Sequence, residues 1–182
     1  MSYAIKTDTD PELVVFYETE ESLLNEVTQK TLYRGLSIKT EGGESLIDEY
    51  ALTPDETDVF RTLMQEAYTE VFGLVMKMTW GADDASGTDL LKFNTNVILE
   101  GSSVDEAYGF SIVNHEAYND NHLILVERAI RKCVVDHTIA NWYKLKGLDA
   151  EAQKFLADYE YNKRLLVNKY LFGLRKPLFN AS

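Results

Sequence analysis

The strongest local signal in the chain is the start of a helix at Thr53. Thr53 stands at the N-cap position, Pro54 follows in the first turn, and Glu56 comes three residues after the cap, which is the pattern of a capping box. Apolar residues then recur at helical spacing as far as Met76. The pattern predicts a long amphipathic helix that must bury one face, so we expect a strongly helical fold.

The hydrophobic period changes twice after this helix. "LLKFNTNVILE" alternates from Leu91 to Leu99, and "AYGFSIV" alternates through Tyr108, Phe110 and Ile112, which predicts a β-hairpin joined through "GSSVDE". A helical period returns near Asp120 and stops at Gly147. We expect Asp149 to cap a further helix, which must end before Pro177 and forms a helical hairpin with a tight turn at "KGLD".

The N-terminal third gives weaker signals. "ELVVFY" is a β-prone run, and Thr19 can cap "EESLLNEVTQKTLYR", a helix expected to end at Gly35. "GLSIKT" and "LIDEY" flank the turn signal "EGGES", which predicts a small hairpin.

Together these patterns predict an α+β, predominantly helical fold, with long amphipathic helices, a C-terminal helical hairpin and one or two small antiparallel β-hairpins. A chain of 182 residues can bury one sizeable core, so we expect a single domain over residues 1–182. Within it, residues 1–52 form an acidic N-terminal β/α region, residues 53–171 a helical core with a β-hairpin, and residues 172–182 a basic C-terminal arm.

The cysteine count and the hydropathy of the sequence indicate the cellular compartment in which the protein is assembled. A single cysteine, Cys133, excludes an internal disulfide framework, and "MSYAIKTDTD" lacks the pattern of a secretory signal. No apolar run approaches the roughly 20 residues of a membrane-spanning helix. We therefore expect a protein assembled in the cytosol, without membrane insertion.

Charge is distributed unevenly along this chain, whose formal net charge is −12. Residues 1–120 hold 24 acidic and 7 basic residues, whereas residues 121–182 hold 6 acidic and 11 basic residues. Such asymmetry indicates polyelectrolyte binding, pairing of unlike surfaces between molecules, or neutralisation between the two halves of one subunit.

The basic, aromatic C-terminal stretch is the best candidate for a partner interface. It combines positive charge with apolar contact area, whereas a solvated helix face requires only the charge. The candidate interface residues are Lys169, Phe172, Arg175, Lys176, Leu178 and Phe179.

The sequence offers two weak candidates for chemistry. His115, Glu116, Asp120 and His122 cluster in "NHEAYNDNH", but their spacing matches no metal site, and capping by Asn119, Asp120 or Asn121 explains them. Cys133 and His137 share a helical face, as a nucleophile and its base would, but their neighbours are apolar. No glycine run has phosphate-binding spacing. We predict no catalytic residues, no cofactor and no metal.

Residues 126–177 resemble the C-terminal helical hairpins of structural proteins from the head-to-tail region of tailed phages. The resemblance rests on "NWYKLKGL" at the turn, "ADYEYNKRLL" on the return helix and the final "LRKP". With the helix from Thr53 and the strands, the likeness extends over roughly residues 53–177, although typical adaptors of this group are mostly helical.

The resemblance implies a virion structural protein, a head-to-tail adaptor or connector found at the portal vertex or tail and assembled in the host cytoplasm. Such a protein forms a homo-oligomeric ring, docks on the portal, contacts tail or ring proteins, and extends the channel through which DNA passes without specific binding. Proteins of this kind are not enzymes as a rule, so we expect no enzymatic activity. The alternatives are an acidic DNA mimic that inhibits a nucleic-acid enzyme, and an enzyme built around His115 or Cys133.

Overall fold

The computed structural model describes residues 2–6, 12–40, 42–76, 92–98, 106–114 and 119–171. Their elements are β1 (Ser2–Lys6), β2 (Leu13–Glu18), α1 (Glu20–Ser37), α2 (Ile47–Tyr50), α3 (Thr57–Met76), β3 (Lys92–Ile98), β4 (Glu106–Val113), α4 (Asp120–Leu145) and α5 (Asp149–Leu165). A 3-10 turn, Pro54–Glu56, precedes α3, and a π-helical turn, Leu166–Tyr170, follows α5. The predicted α+β, predominantly helical fold is confirmed.

The four strands form one antiparallel sheet in the order β1-β2-β4-β3. The predicted hairpin is present, because β3 pairs with β4. The N-terminal strand β2 pairs with the other edge of β4, where Tyr17 faces Gly109. A Cβ atom at Gly109 would lie 2.0 Å from the carbonyl oxygen of Phe16, so only glycine allows this approach. No pattern in the sequence predicts the strand β1.

The helix α4 is the central element of the described fold. It contacts α1, α3, α5 and β1, and its buried residues run from Leu123 to Tyr143. Trp142 is 2% exposed, and its Nε1–H donates to the carbonyl of Tyr50 at 3.3 Å. The buried residues of the sheet, α1, α3, α4 and α5 belong to one continuous core.

The predicted helix boundaries are partly confirmed. The amide of Ser22 donates to Thr19 Oγ1 at 3.2 Å, so Thr19 caps α1 as predicted. The amide of Thr53 donates to Glu56 Oε2 at 3.0 Å, as the capping box requires. Gly147 has a φ of +73°, the left-handed conformation that ends a helix at glycine.

Three local predictions are wrong. The helix α1 continues through Gly35 to Ser37, and the expected hairpin reduces to a single bridge between Lys39 and Ser45, because "LIDEY" forms the helical turn α2. The sequence run "IDEY" has acidic residues that suit a first helical turn. Asp149 is the first residue of α5 rather than its cap, since Leu148 holds the N-cap position.

Candidate functional site

The surface of the described residues is divided by charge. Within residues 12–76 the exposed acids are Glu12, Glu21, Glu44, Asp48, Glu49, Asp55, Asp58 and Glu66, while the exposed bases are Lys39 and Arg61. Within residues 119–171 the exposed bases are Arg128, Lys132, Lys144, Lys146, Lys154, Arg164 and Lys169, while the exposed acids are Asp120, Asp149 and Asp158. The asymmetry along the sequence is therefore also an asymmetry of the folded surface.

Part of the charge is neutralised inside the subunit, as one of the interpretations predicted. Arg34 of α1 donates to both oxygens of Glu151 on α5, at 2.5 and 2.8 Å. Arg131 of α4 binds Glu18 and Glu26, and Lys146 meets Glu56 at 2.8 Å. These pairs fix α1 and the 3-10 turn before α3 to the helical hairpin, and the remaining exposed charges still divide by region.

A basic surface with apolar residues lies between α4 and α5. It surrounds a pocket of about 220 Å³ that is lined by Leu125, Arg128, Ala129, Lys132, Asn162 and Leu165. Leu125 is 42% exposed. Helical spacing explains the surface, because positions three and four apart on α4 bring Leu125, Arg128 and Lys132 to one face. We call this surface the hairpin face.

The predicted partner interface is only partly within the described residues. Lys169 lies in the π-helical turn and is exposed. Phe172, Arg175, Lys176, Leu178 and Phe179 lie outside the described residues. Their role stays a prediction.

A groove runs between α3 and α4 near the tight turn of the helical hairpin. Its volume is about 450 Å³, and Val59, Thr62 and Glu66 of α3 face Asn141, Lys144 and Leu145 of α4 across it. Val59 is 39% exposed and Leu145 is 64% exposed. One end of the groove is therefore apolar and accessible. We call it the α3–α4 groove.

A polar cluster joins α3, α4 and α5. Glu70 of α3 accepts from the Tyr159 hydroxyl and, at 3.1 Å, from Lys163 Nζ, both on α5. His137 Nε2 lies 3.0 Å from the other Glu70 oxygen, and Asn141 Nδ2 lies 3.4 Å from His137 Nδ1. Because the Asn141 amide nitrogen only donates, His137 Nδ1 accepts, and the Nε2 proton points at Glu70.

Burial controls the protonation of this cluster. It lowers the pKa of His137, against the opposing effect of the Glu70 carboxylate, so the imidazole is neutral near pH 7. The pKa of Glu70 is also lowered, because the hydrogen bonds from Tyr159 and Lys163 outweigh its burial. No local sequence pattern predicts that Glu70, Tyr159 and Lys163 meet, because their contact depends on how three helices pack.

The two candidates for chemistry have different outcomes. Cys133 is fully buried, and burial raises the pKa of its thiol to about 12, so the thiol is protonated at neutral pH. His137 is directed at Glu70, and Cys133 behaves as a small core residue.

Only part of the candidate metal-binding cluster lies within the described residues. His115 and Glu116 lie outside the described residues, while Asp120 and His122 belong to the first turn of α4. Asn119 caps that helix by accepting from the amide of Asn121 at 2.9 Å, as expected. Among the described residues, no three side chains are grouped as metal ligands.

No protein family, curated protein or solved structure matches this chain. None of the described helices is both long and apolar enough to cross a membrane. What the fold defines is an α+β, predominantly helical protein whose surface separates an acidic region from a basic one.

Proposed function

We propose that the chain is a virion structural protein of a tailed phage, an adaptor or ring component between head and tail. In this role several copies form a ring that docks on the portal and extends the DNA channel. The observation that carries the proposal is the divided surface. Among the described residues, 12–76 expose eight acids and two bases, whereas 119–171 expose three acids and seven bases.

Unlike surfaces on one subunit suit a head-to-tail contact between copies. Such a contact is heterologous, and it closes into a ring when the rotation between neighbours allows. The hairpin face supplies the basic partner, and its exposed Leu125 adds apolar contact area. The exposed acids of α3 and of the region before it supply the complementary charge.

The acidic surface also suits a channel that carries DNA. Basic residues on a channel wall would bind phosphates and hold the duplex in place, in a salt-dependent manner. Carboxylates repel the phosphates, so the duplex slides. The region from residue 12 to residue 76 is the candidate lumen surface.

The same acidic surface favours a second function, that of a DNA mimic that occupies the basic groove of a nucleic-acid enzyme. The two functions require different assemblies. An adaptor binds a portal ring in many copies, whereas a mimic binds its enzyme with one or two copies.

Native mass spectrometry of the purified chain, alone and mixed with the portal ring from the same genome, tests the proposal. We expect a complex with multiple copies of the chain on each portal ring. A chain that stays unbound at micromolar concentrations would overturn the adaptor role. A pull-down that instead recovers a nucleic-acid enzyme in a small complex would support the mimic.

A further inference from the structure

The hairpin face combines positive charge with apolar contact area. Its pocket is lined by two bases, Arg128 and Lys132, and by no acid. Leu125, Ala129 and Leu165 form the apolar part of the lining. Among the described residues, no ion pair engages Arg128 or Lys132, whereas other bases of the two helices are paired. The pocket therefore favours an anionic partner that also has apolar surface.

Three acids lie within one helical turn of the pocket residues in sequence but do not line the pocket: Glu127, Asp136 and Asp158. Asp136 is buried, and it is engaged by Lys30 at 3.4 Å and by Asn162 at 2.9 Å. Arg164 and Lys169, which follow Asn162 along the chain, are exposed and add positive charge. The hairpin face as a whole is basic.

A surface of opposite charge lies where the end of α1 meets α2. Ser45 Oγ donates to the carbonyl of Gly35 at 3.1 Å, so the segment before α2 contacts the last turn of α1. The residues exposed there are three acids, Glu44, Asp48 and Glu49, two apolar residues, Tyr33 and Leu36, and one base, Lys39. We call this surface the acidic patch.

The acidic patch complements the hairpin face in charge and in apolar surface. Among the described residues, no ion pair engages Glu44, Asp48 or Glu49, whereas Asp58 on α3 is paired with Arg61 at 3.2 Å. Tyr33 is 69% exposed and Leu36 is 47% exposed beside these acids. The patch therefore presents free carboxylates together with apolar side chains.

We propose that the hairpin face binds the acidic patch of a second copy of the chain. Asp48 and Glu49 are consecutive, and Arg128 and Lys132 are one helical turn apart, so two carboxylates meet two bases while Leu36 covers the apolar lining. The inference rests on the proposed assembly role and deepens it, because it names the two surfaces that join neighbouring subunits.

The two surfaces of one copy are too far apart to meet. The carbonyl of Tyr50, at the end of α2, accepts from Trp142 near the C-terminal end of α4. Lys132 and Arg128 precede Trp142 on the same helix by ten and 14 residues, which is about 15 to 21 Å of helical rise. Because both surfaces belong to helices of one core, the patch meets the hairpin face of a neighbour.

Other occupants suit the pocket less well. Its volume of about 220 Å³ is below the roughly 300 to 1,000 Å³ of small-molecule sites, so it suits side chains of a protein partner. Residues 172–182 of the same chain hold Arg175 and Lys176 and no acid, so like charges oppose their binding here. The net charge of −12 and the apolar lining disfavour a nucleic acid.

Disulfide trapping between two full-length chains tests the contact. One chain carries Leu125→Cys, and the other, isotopically labelled, carries Leu36→Cys. Cys133 is fully buried and stays in place. The control replaces Leu36→Cys with Val59→Cys, at an apolar position of similar exposure outside the patch. Mass spectrometry after mild oxidation identifies the mixed dimer.

We expect at least tenfold more mixed dimer from Leu125→Cys with Leu36→Cys than from the control pair. Equal yields, or a higher yield from Val59→Cys, would overturn the contact. One chain carrying both Leu36→Cys and Leu125→Cys tests the reach, and an internal disulfide that dominates at high dilution would overturn binding between copies.

A charge exchange tests the pairing. Arg128→Glu with Lys132→Glu in the hairpin-face chain should lower the yield of mixed dimer about tenfold, and Asp48→Lys with Glu49→Lys in the patch chain should restore it. A yield that the first reversal leaves unchanged would contradict the pairing.

The matched control for this exchange is Glu21→Lys with Glu66→Lys, which alters the net charge equally at exposed acids outside the patch. It should restore nothing, and an equal restoration would show that net charge alone governs the yield. A short labelled DNA duplex that binds the unmodified chain and not the Arg128→Glu, Lys132→Glu variant would reassign the face to nucleic acid.

The portal experiment fails separately. Chains that cross-link through the two surfaces but do not bind the portal keep this contact and lose the adaptor role. Chains that bind the portal in many copies but cross-link no better than the control lose this contact alone.

Discussion

Two buried tyrosine hydroxyls differ in what they contribute to stability. Tyr159 donates to Glu70, whereas the hydroxyl of the fully buried Tyr143 has no hydrogen-bond partner among the described residues. An unsatisfied buried hydroxyl costs about 1 to 3 kcal/mol, so we expect Tyr143→Phe to raise the free energy of unfolding or leave it unchanged. Tyr159→Phe should lower it by about 1 to 2 kcal/mol. Urea denaturation of both variants measures the difference, and a clear destabilisation by Tyr143→Phe would contradict the assignment.

Trp142 is buried near the C-terminal end of α4. Lys146 Nζ lies 4.5 Å from the centroid of its ring, and the indole N–H donates a hydrogen bond to the carbonyl of Tyr50. Trp142→Ala should therefore lower the free energy of unfolding by about 3 to 5 kcal/mol, because a large cavity is left. Thermal melting measures it. A stable variant that had lost only partner binding would place Trp142 in an interface.

His137 makes stability depend on pH near neutrality. Its pKa is lowered by burial in the folded protein, so the unfolded chain binds the proton first as the pH falls below about 6.5. The pKa of Glu70 is lowered too, so its contribution is lost only at more acidic pH. Stability should fall between pH 7 and pH 5.5.

The matched variant His137→Gln isolates this effect. It keeps a donor near Glu70 and removes the titrating group, so the fall between pH 7 and pH 5.5 should shrink by several tenths of a kcal/mol to about 1 kcal/mol. Melting temperatures at the two pH values check it. An identical fall in both proteins would assign the dependence to other groups.

At the scale of elements, Gly109 is the residue that allows the central strands to pair. A Cβ at this position would meet the backbone of Phe16 and Tyr17, at 2.0 and 2.9 Å, so Gly109→Ala must displace β2 from β4. We expect a loss of about 2 to 3 kcal/mol, as for other overpacked sites. The control is Gly73→Ala in α3, where an added Cβ meets nothing within 4 Å and removal of glycine should stabilise the helix by about 0.5 to 1 kcal/mol. Urea denaturation compares the two.

The elements that the sequence predicted correctly are those with a local cause. The capping box at Thr53, the cap at Thr19 and the glycine stop at Gly147 all depend on neighbouring residues. The wrong predictions concern Gly35 and "LIDEY", where tertiary packing decided: an added Cβ at Gly35 would lie 2.8 Å from Cα of Ile47, so α1 and α2 pack at this glycine. β1 was missed because five residues give too short a pattern.

The candidate sites also differ in whether a local sequence pattern can predict them. Helical spacing in the sequence predicts that Cys133 and His137 share a helix face. The burial of Cys133 in the structure then identifies it as a core residue. The α3–α4 groove and the Glu70 cluster depend on the distance between helices that are far apart in sequence, which no local pattern contains.

At the scale of the whole molecule, the central claim is that copies of the chain join through unlike surfaces. The acidic excess of residues 12–76 and the basic excess of residues 119–171 survive folding, despite the ion pairs that connect the two regions. Exposed ion pairs contribute only about 0 to 1 kcal/mol each, so reversing surface charges should leave the fold stable. In a ring the same interface recurs between neighbouring copies, so the small effects on assembly add up.

The most direct measurement is the native mass of the portal-bound assembly formed by the double variant Arg128→Glu and Lys132→Glu. The controls are the unmodified chain and Lys39→Glu, which reverses an exposed base within the acidic region. All three chains should keep their melting temperatures. We expect the unmodified chain and Lys39→Glu to bind the portal ring in multiple copies, and the double variant to bind in reduced number without closing a ring. A double variant that assembles as the unmodified chain does, at low and at raised salt, would contradict the account.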